Sequence, residues 1–405
     1  MITSPMTRRY HLELPFWIYT GLTVLVALAA SSSQNNLLFW IFGVMASLLL
    51  LSGVVSGVMM SGLRVRRLDP QHGAVGEPLI VRYAVTNRNR LVPVFNIHIE
   101  ERTVGADSGW DLLMASARAW MMHIAPRERA HGEVIFWPTQ RGEARFDQVR
   151  IWTTFPFGII KKSVTFSQPQ HTLIYPLRYR LRRRILDALA PVGPIGARVS
   201  RQSGLGDDYY GMREYRPGDS MRHIAWKRSA CLDQLICIER SRPSPPKLRV
   251  VLDLTTPTDK LQPDTDAGLS PRQLEERAIS LAASVIHAAD LASFEVGLAV
   301  PGTDLPVIPI RRNAWHVGKL MAALAGINLN ARSGHDGWPI PDAEPAGLVV
   351  IHPDRVLAAL GRPDAWHLTA RQIDSLTVHP IGHTPGIQSA RASSDGTPSR
   401  SDAAA

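Results

Sequence analysis

Two long apolar runs dominate the hydropathy pattern near the start of the chain. Leu14–Ala30 and Leu37–Met60 contain no charged residue, and the polar link "SSSQNN" separates them. A bilayer core about 30 Å thick requires a helix of about 20 apolar residues. The second run has this length, and the first has it if Ser31–Ser33 extend the helix. Residues 1–62 are therefore predicted to form a two-helix transmembrane hairpin.

The competing interpretation of the first run is a cleaved signal peptide. No small-residue cleavage site leads from it into a soluble domain, and a second, longer apolar run follows instead. Two buried helices of a soluble domain are a further alternative, but uncharged runs of this length are not typical of them. The hairpin is the interpretation that we keep.

The next stretch alternates apolar and polar residues in short runs. The segments "EPLIVRYAVTN", "VPVFNIHIEE", "HGEVIFWPTQ" and "ARFDQVRIWTTFPFG" follow this pattern, and turn sequences such as "NRNR" and "QRGE" separate them. Short strands at this spacing, without a helical period, are typical of a small β-sandwich. Residues 63–176 are therefore expected to form an all-β, sandwich-like module.

The C-terminal part alternates predicted strands with predicted helices. The strand-like segments "LRVVLDLTT", "SFEVGLAVPG" and "AGLVVIHPD" are separated by the helical patterns of Pro271–Leu291 and "AWHVGKLMAALAGI". This order predicts βαβ units and a mostly parallel, Rossmann-like sheet over residues 246–385. The chain is thus predicted to be multidomain, with a basic linker at 177–204, a charged segment at 205–245 and a disordered tail at 386–405.

Charge narrows the choice of partner. The 405 residues carry a net charge of +10, which favours nucleic acid or anionic lipid. The arginine cluster Arg178–Arg184 is either a solvated or acid-paired face or a contact with lipid headgroups. No nucleic-acid recognition motif appears, so a nucleic-acid partner is not expected. The two cysteines, Cys231 and Cys237, form neither a zinc quartet nor a disulfide framework, which favours a reducing compartment.

Arginines on both flanks of the hairpin predict its topology. They precede the first apolar run and follow the second, and positive charge favours the cytoplasmic side. The flanking residues are Arg8, Arg9, Arg64, Arg66 and Arg67. Both termini and the soluble modules are therefore expected in the cytoplasm.

Acidic residues follow two of the predicted parallel strands. Asp253 and Thr255 stand after one strand and Asp354 after another, and ligand sites of open α/β sheets lie beyond the carboxyl ends of the strands. Carboxylate and hydroxyl oxygens suit Mg²⁺. The segment resembles a von Willebrand factor A-type domain, whose metal-ion-dependent adhesion site begins with Asp-x-Ser-x-Ser. Pro257 replaces the last hydroxyl, so a weak, degenerate site is expected; caps of turns or helices are the alternative role of these residues.

The segment "YGMREYRPGDSMRHIAWKRSA" (Tyr210–Ala230) mixes both charges with aromatic residues between the two soluble modules. Pro217 and Gly218 predict a turn, Asp219 is expected to cap a short helix, and Ile224 and Trp226 are expected to pack inward. Arg222 and Lys227 are expected to point outward.

This signature resembles the "domain of unknown function 58" family. The residues that carry the resemblance are Gly211, Arg213, Glu214, Tyr215, Pro217, Gly218, Asp219, Arg222, Ile224, Trp226, Lys227 and Ala230. The resemblance implies a bacterial inner-membrane protein with a C-terminal A-type domain. It also implies a MoxR-type AAA+ ATPase as partner, in maturation of an envelope or metal-containing complex.

Two roles are open for the signature. Arg213, Glu214, Asp219 and Arg222 could form an interdomain clasp around Trp226 through arginine–carboxylate pairs. The same residues, with Tyr215, Gly218 and Lys227, could form a docking face, because Trp, Tyr and Arg dominate binding hot spots.

No catalytic motif supports an enzyme. The chain has no Gly-x-Ser-x-Gly and no Walker loop, and its histidines are scattered. A non-enzymatic, membrane-anchored adaptor or assembly factor is therefore expected. A metal-dependent protein-binding or adhesion module without an ATPase partner and an uncharacterised enzyme are the alternatives.

Overall fold

The structure is a computed structural model. It describes residues 6–33, 35–68, 72–103, 110, 113, 117–182, 185, 203–241, 245–265, 267–330, 346–356 and 365–381. These residues fall into two compact units, one within Met1–Tyr175 and one within Pro176–His383. Most of the predicted linker and all of the predicted tail (386–405) lie outside the described residues.

The first unit contains two helices and nine strands among its described residues. The helices are α1 (Leu14–Ser33) and α2 (Asn36–Ser61). The strands are β1 (Met6–His11), β2 (Leu63–Arg67), β3 (Gly73–Ala74), β4 (Leu79–Asn87), β5 (Val94–Arg102), β6 (Arg118–Ile124), β7 (Arg129–Phe136), β8 (Gly142–Thr153) and β9 (Lys161–Tyr175).

Both helices are long and apolar enough to cross a membrane. The first continues through Ser33, which gives it the length needed to span a bilayer. Asn35 caps the start of α2, because its side chain accepts a hydrogen bond from the backbone N–H of Leu37 at 2.9 Å. The last two turns of α2 differ from the rest of the helix, because Met59 and Met60 are buried in the core of the adjoining β-sheets. The helix therefore ends inside the β module.

The strands of the first unit form two sheets around one core. A six-stranded sheet has the order β1-β9-β8-β5-β6, with β3 paired to β9, and a three-stranded sheet has the order β2-β4-β7. All pairs except β3–β9 are antiparallel. One hydrophobic cluster collects the inward residues of both sheets, among them Val81, Ile99 and Phe146. Alternation along each strand, which the sequence shows, produces this arrangement.

A buried ion pair crosses this core. The guanidinium of Arg67 donates to both carboxylate oxygens of Glu101, at 2.9 and 2.6 Å, and the hydroxyl of Tyr83 donates to Glu101 at 2.7 Å. Burial raises the pKa of the Tyr83 hydroxyl, which therefore remains a donor. The bidentate geometry offsets part of the cost of burying both charges, and burial still raises the pKa of Glu101.

The N-terminal strand β1 is a feature that the sequence reading missed. It pairs antiparallel with β9, from Met6 opposite Phe166 to His11 opposite Lys161. Strand β2 follows α2 directly. The helical hairpin is thus connected at both ends to strands of the same β module.

The second unit contains the remaining elements. The strands are β10 (Tyr179–Leu181), β11 (Ser203–Glu214), β12 (Ile236–Ser241), β13 (Lys247–Leu252), β14 (Glu295–Ala299), β15 (Ile308–Arg311), β16 (Gly347–His352), β17 (Trp366–Thr369) and β18 (Thr377–Pro380). The helices are α3 (Trp226–Leu232), α4 (Pro271–Leu291), α5 (Ala314–Ala325) and α6 (Ile373–Leu376).

The main sheet of the second unit has the order β15-β14-β13-β16-β17. All pairs are parallel except β14–β15, as the alternation of strands and helices predicted. Helix α4 has the predicted bounds; it begins with a capping box between Ser270 and Gln273 and buries the apolar face that contains Leu274 and Leu281. Residues assigned by sequence to the start of the basic linker form β10, which pairs with β18.

Candidate functional site

The signature segment folds as a strand pair with a short helix beside it. Strands β11 and β12 pair antiparallel, with Arg213 opposite Cys237. The chain between them contains a turn, a 3₁₀ turn at Met221–His223 and α3. Ser229 joins α3 to β12, because its hydroxyl accepts a hydrogen bond from the backbone N–H of Ile236 at 2.9 Å.

Arg213 holds this segment together through two carboxylates. Its two terminal nitrogens donate to the two oxygens of Asp219, each at 2.7 Å, and its Nε donates to Glu239 at 2.7 Å. The hydrogen bonds from Arg213 and from the backbone N–H of Arg216 lower the pKa of Asp219 to about 2. We call these three side chains the Arg213 clasp. The clasp joins β11, the turn and β12, all within the second unit.

The expected helix cap by Asp219 is wrong. Its carboxylate faces Arg213 and the turn, and the 3₁₀ turn begins after Ser220 without a side-chain cap. Gly218 makes this possible, because its φ of +107° lies in a region that residues with a Cβ rarely adopt. The turn therefore returns Asp219 to the strand that carries Arg213.

The inward packing expected of Trp226 is also wrong. Ile224 is buried at 7 % exposure, as expected, but Trp226 is 62 % exposed. Trp226 is the first residue of α3, and helical side chains lean toward the N-terminus, so its ring projects beyond the helix instead of onto it. The ring of Trp226 therefore does not shield the charges of the signature in the way that the clasp hypothesis assumed.

The side chains of the other predicted signature residues are not part of the clasp, and Glu214 contributes only its backbone carbonyl, which accepts a hydrogen bond from Arg213 at 3.0 Å. Glu214, Arg222 and Lys227 are exposed, and Tyr215 is half-buried. The segment also exposes a set of apolar side chains, which we call the signature surface. Its members are Tyr209, Met212, Met221, Trp226, Leu232 and Leu235.

The carboxyl edge of the main sheet contains a chain of three hydrogen-bonded side chains. Asp253 follows β13, His352 ends β16 and His367 lies in β17. His352 Nδ1 lies 2.9 Å from Asp253 Oδ2, and His352 Nε2 lies 3.0 Å from His367 Nδ1. The two imidazole planes are 14° apart with centroids separated by 5.3 Å. With the nitrogens this close, such a separation means that the rings meet end to end.

Burial and hydrogen bonding shift the pKa of two members of this chain, Asp253 and His367. Burial alone would raise the pKa of Asp253, but hydrogen bonds from His352 and Thr255 outweigh it and lower the pKa. Burial, followed by the nearby His352, lowers the pKa of His367. When both imidazoles are uncharged, the contacts require His352 to donate to the Asp253 carboxylate and His367 to donate to His352, which leaves Nε2 of His367 as a lone-pair acceptor.

Asp354 belongs to a separate ion pair. Arg371 donates through Nε to Asp354 Oδ1 at 2.8 Å, and the backbone N–H of Gln262 donates to Oδ2 at 3.2 Å. A second nitrogen of Arg371 donates to the carbonyl of Gln262 at 2.9 Å. The arginine therefore ties the loop after β13 to the loop after β16.

The predicted Mg²⁺ ligands do not fit a metal site in this arrangement. Asp253 accepts hydrogen bonds on Oδ1 from the backbone and hydroxyl of Thr255 and pairs on Oδ2 with His352, while Asp354 is paired with Arg371. Among the described residues, no group of three or more His, Cys, Asp or Glu side chains could hold a metal ion. A Mg²⁺ ion would have to compete with the imidazole and the guanidinium for these carboxylates. The weak Mg²⁺ binding expected from the sequence stays a prediction.

Sequence reasoning missed four residues of these two sites. Glu239, His352, His367 and Arg371 are separated along the chain from their partners, and only pairing of the strands brings them together. His352 carried a usable signal, because it lies in the predicted strand "AGLVVIHPD", two positions before Asp354.

Comparison with known proteins agrees with the signature. The chain is similar to "Uncharacterized protein YeaD" of Bacillus subtilis (strain 168), with 26 % identity over 187 residues, or 46 % of this chain. The matched region spans 42 % of that relative's length. The stretch from Gly211 to Val349, which runs from the Arg213 clasp into β16, matches the family described as "Protein of unknown function DUF58".

Proposed function

We propose that this protein is a non-enzymatic, membrane-anchored adaptor that docks a MoxR-type AAA+ ATPase through the signature surface. The adaptor would serve maturation of an envelope or metal-containing complex at the bacterial inner membrane. The observation that supports this most strongly is the exposure of Trp226 in the segment that the Arg213 clasp holds together. Exposed Trp and Tyr side chains, such as Trp226 and Tyr209, are typical of protein-binding hot spots.

The anchor of this adaptor is the helical hairpin. Because β1 and β2 belong to one β module, the two ends of the hairpin lie on the same side of any membrane that it spans. The arginines on both flanks favour the cytoplasm for that side. We therefore propose a two-pass topology with both soluble units in the cytoplasm.

The second unit is proposed to be a von Willebrand factor A-like binding domain. The central parallel strands with Asp253 at their carboxyl edge support this assignment. The alternative of a metal-dependent adhesion module is less well supported, because His352 and Arg371 already pair with the two carboxylates. In the proposed adaptor, these protein groups stabilise the sheet edge in place of a cation.

The test is recovery of a MoxR-type ATPase, identified by mass spectrometry, with the tagged full chain from detergent-solubilised membranes. Trp226→Ala should lower recovery. Trp315→Ala is the matched control, because Trp315 is 87 % exposed in the same unit but lies in α5, outside the signature. Equal recovery with wild type and Trp226→Ala would refute docking through this surface.

A further inference from the structure

Three loops of the β module lie at the same end as the helical hairpin. The pairing of His11 with Lys161 places the start of β9 where β1 leads into α1, and the pairing of Leu63 with Asn87 places the end of β4 where α2 leads into β2. The loops at this end are residues 88–93, 125–128 and 154–160. We call them the hairpin-side loops.

Hydrogen bonds fix the first two loops to the end of α2. The side-chain amide of Asn89 donates to the carbonyls of Val58 and Met59, at 3.1 and 3.3 Å. The backbone N–H of Arg88 donates to the carbonyl of Gly62 at 2.9 Å, and that of Arg127 donates to the carbonyl of Asn89 at 3.1 Å. Because helical carbonyls in the last turn have no partner within the helix, these bonds make the loop a cap of α2.

The third loop contacts α2 farther from its end. The Cδ1 of Ile160 lies 3.7 Å from the position that a Cβ on Gly53 would occupy. Ile159 and Ile160 are buried, whereas Phe157, at the tip of the same loop, is 46 % exposed.

Helix lengths locate these loops relative to a bilayer. At 1.5 Å per residue, the 20 residues of α1 span about 30 Å, the thickness of the hydrocarbon core. Helix α2 has 26 residues and starts just after α1 ends, so its last turn and a half extends beyond the start of α1. The carbonyls of Val58 and Met59 then lie at headgroup depth, and Gly53 lies near the edge of the hydrocarbon.

The chemistry of the hairpin-side loops suits this depth. Leu91 is 88 % exposed, and Arg88, Arg90 and Arg127 are exposed around it. The exposed acid in these loops, Glu128, accepts a hydrogen bond from the backbone N–H of Ala125 at 2.6 Å. Apolar tips between arginines are typical of surfaces that enter an anionic lipid interface.

We propose that the hairpin-side loops form a lipid-binding surface, in which Leu91 and Phe157 enter the headgroup layer and the three arginines contact anionic phospholipid. This proposal rests on the membrane anchoring proposed above. It adds that the first unit contacts the bilayer surface and is not merely tethered to the membrane by the hairpin.

The test uses the full chain with Cys231, the exposed thiol, replaced by Ser, reconstituted in vesicles of phosphatidylcholine and phosphatidylglycerol. A fluorophore is attached to Leu91→Cys, to Phe157→Cys, or to Gln140→Cys, which is exposed in the loop between β7 and β8 at the opposite end of the module. Spin-labelled headgroups should quench the first two labels and spare the third. A label at Leu25→Cys, an exposed position inside α1, reports insertion of the hairpin through spin-labelled acyl chains.

The outcomes separate the two proposals. Quenching at Leu25→Cys, with Leu91→Cys and Phe157→Cys as unaffected as Gln140→Cys, would overturn the lipid-binding surface and leave the anchor intact. No quenching at Leu25→Cys would refute the anchor itself. The triple variant Arg88→Gln, Arg90→Gln, Arg127→Gln should reduce quenching at Leu91→Cys in vesicles with phosphatidylglycerol but not in phosphatidylcholine alone. Equal quenching at Leu91→Cys with and without phosphatidylglycerol, in the protein that retains the three arginines, would overturn the assignment to anionic lipid.

Discussion

The exposure of Trp226 leads to a prediction that contrasts two neighbouring residues. Trp226→Ala and Ile224→Ala both truncate a large apolar side chain within the signature, but only Ile224 is buried. A fully buried Trp removes about 150–250 Å² from water. With 62 % exposure, Trp226 retains little more than a third of that burial, which is worth about 1–2 kcal/mol at 25 cal/mol/Å². Ile224→Ala should cost about 2–5 kcal/mol, because it leaves a cavity.

The buried thiol of Cys237 provides a local measure of this stability. Ile224 forms an isolated bridge with Cys237, so opening of the segment exposes the thiol. In a Cys231→Ser background, the rate at which Cys237 reacts with a thiol reagent at increasing urea gives the free energy of opening, by the logic used for hydrogen exchange. Ile224→Ala should accelerate the reaction far more than Trp226→Ala.

Binding of the proposed partner should depend on Trp226 more strongly than the stability of the segment does. Loss of a hot-spot Trp costs 2 kcal/mol or more, which weakens binding by about thirtyfold or more. Trp226→Ala should therefore reduce recovery of the proposed ATPase partner, while Cys237 loses less protection than it does in Ile224→Ala. Acceleration of Cys237 labelling by Trp226→Ala that equals the effect of Ile224→Ala would show that the ring is structural, and our reasoning from its exposure would be wrong.

Three further predictions concern other sites. Glu101→Gln should lower the unfolding free energy of the first unit by about 3–5 kcal/mol, measured in urea, because Arg67 would lose its buried counter-charge; an unchanged midpoint would contradict this. Because the folded pKa of His367 lies below the unfolded value of about 6.5, the unfolded chain takes up the proton first as pH falls, so stability should decrease below that pH. The measurement is the thermal midpoint as a function of pH. His367→Gln should make the midpoint depend less on pH, and an unchanged slope would refute the role of His367 in this dependence. Millimolar Mg²⁺ should leave the melting temperature unchanged, because Arg371 already pairs with Asp354; a rise that Asp253→Ala abolishes would instead support the metal site.

The sequence predicted those parts of the fold in which the local pattern decides the structure. Helix α4 has the bounds that the periodicity indicated, and both apolar helices appear where the uncharged runs lie. It could not predict β1, because its partner strand β9 lies about 150 residues away and six residues show no clear period. A pairing at such a distance depends on the completed sheet. Arg371 was missed beside Asp354 for a different reason, because it follows β17 and meets Asp354 only when β17 lies beside β16.

The candidate site shows the same division between composition and geometry. Arg213 and Asp219 were identified from residue type, and bidentate pairing is the geometry that such a pair favours. The sequence could not show which carboxylate meets which arginine, and Glu239 replaces the expected Glu214 as the second partner. It also could not show on which side of a short helix Trp226 would lie.

Strand β1 changes the basis of the proposed topology. From sequence, the cytoplasmic location of both hairpin ends depended only on flanking arginines, and charge bias is a statistical preference that other segments can override. Pairing of Met6–His11 with β9 adds a constraint of a different kind, because one β module cannot lie on both sides of a membrane. This constraint places the two ends on the same side of the membrane without identifying that side, for which the flanking arginines favour the cytoplasm. A reporter fused after Ala405 and a protease site placed before Met6 should therefore report the same compartment. Opposite compartments would refute the hairpin, whereas a shared external location would refute only the inference from charge.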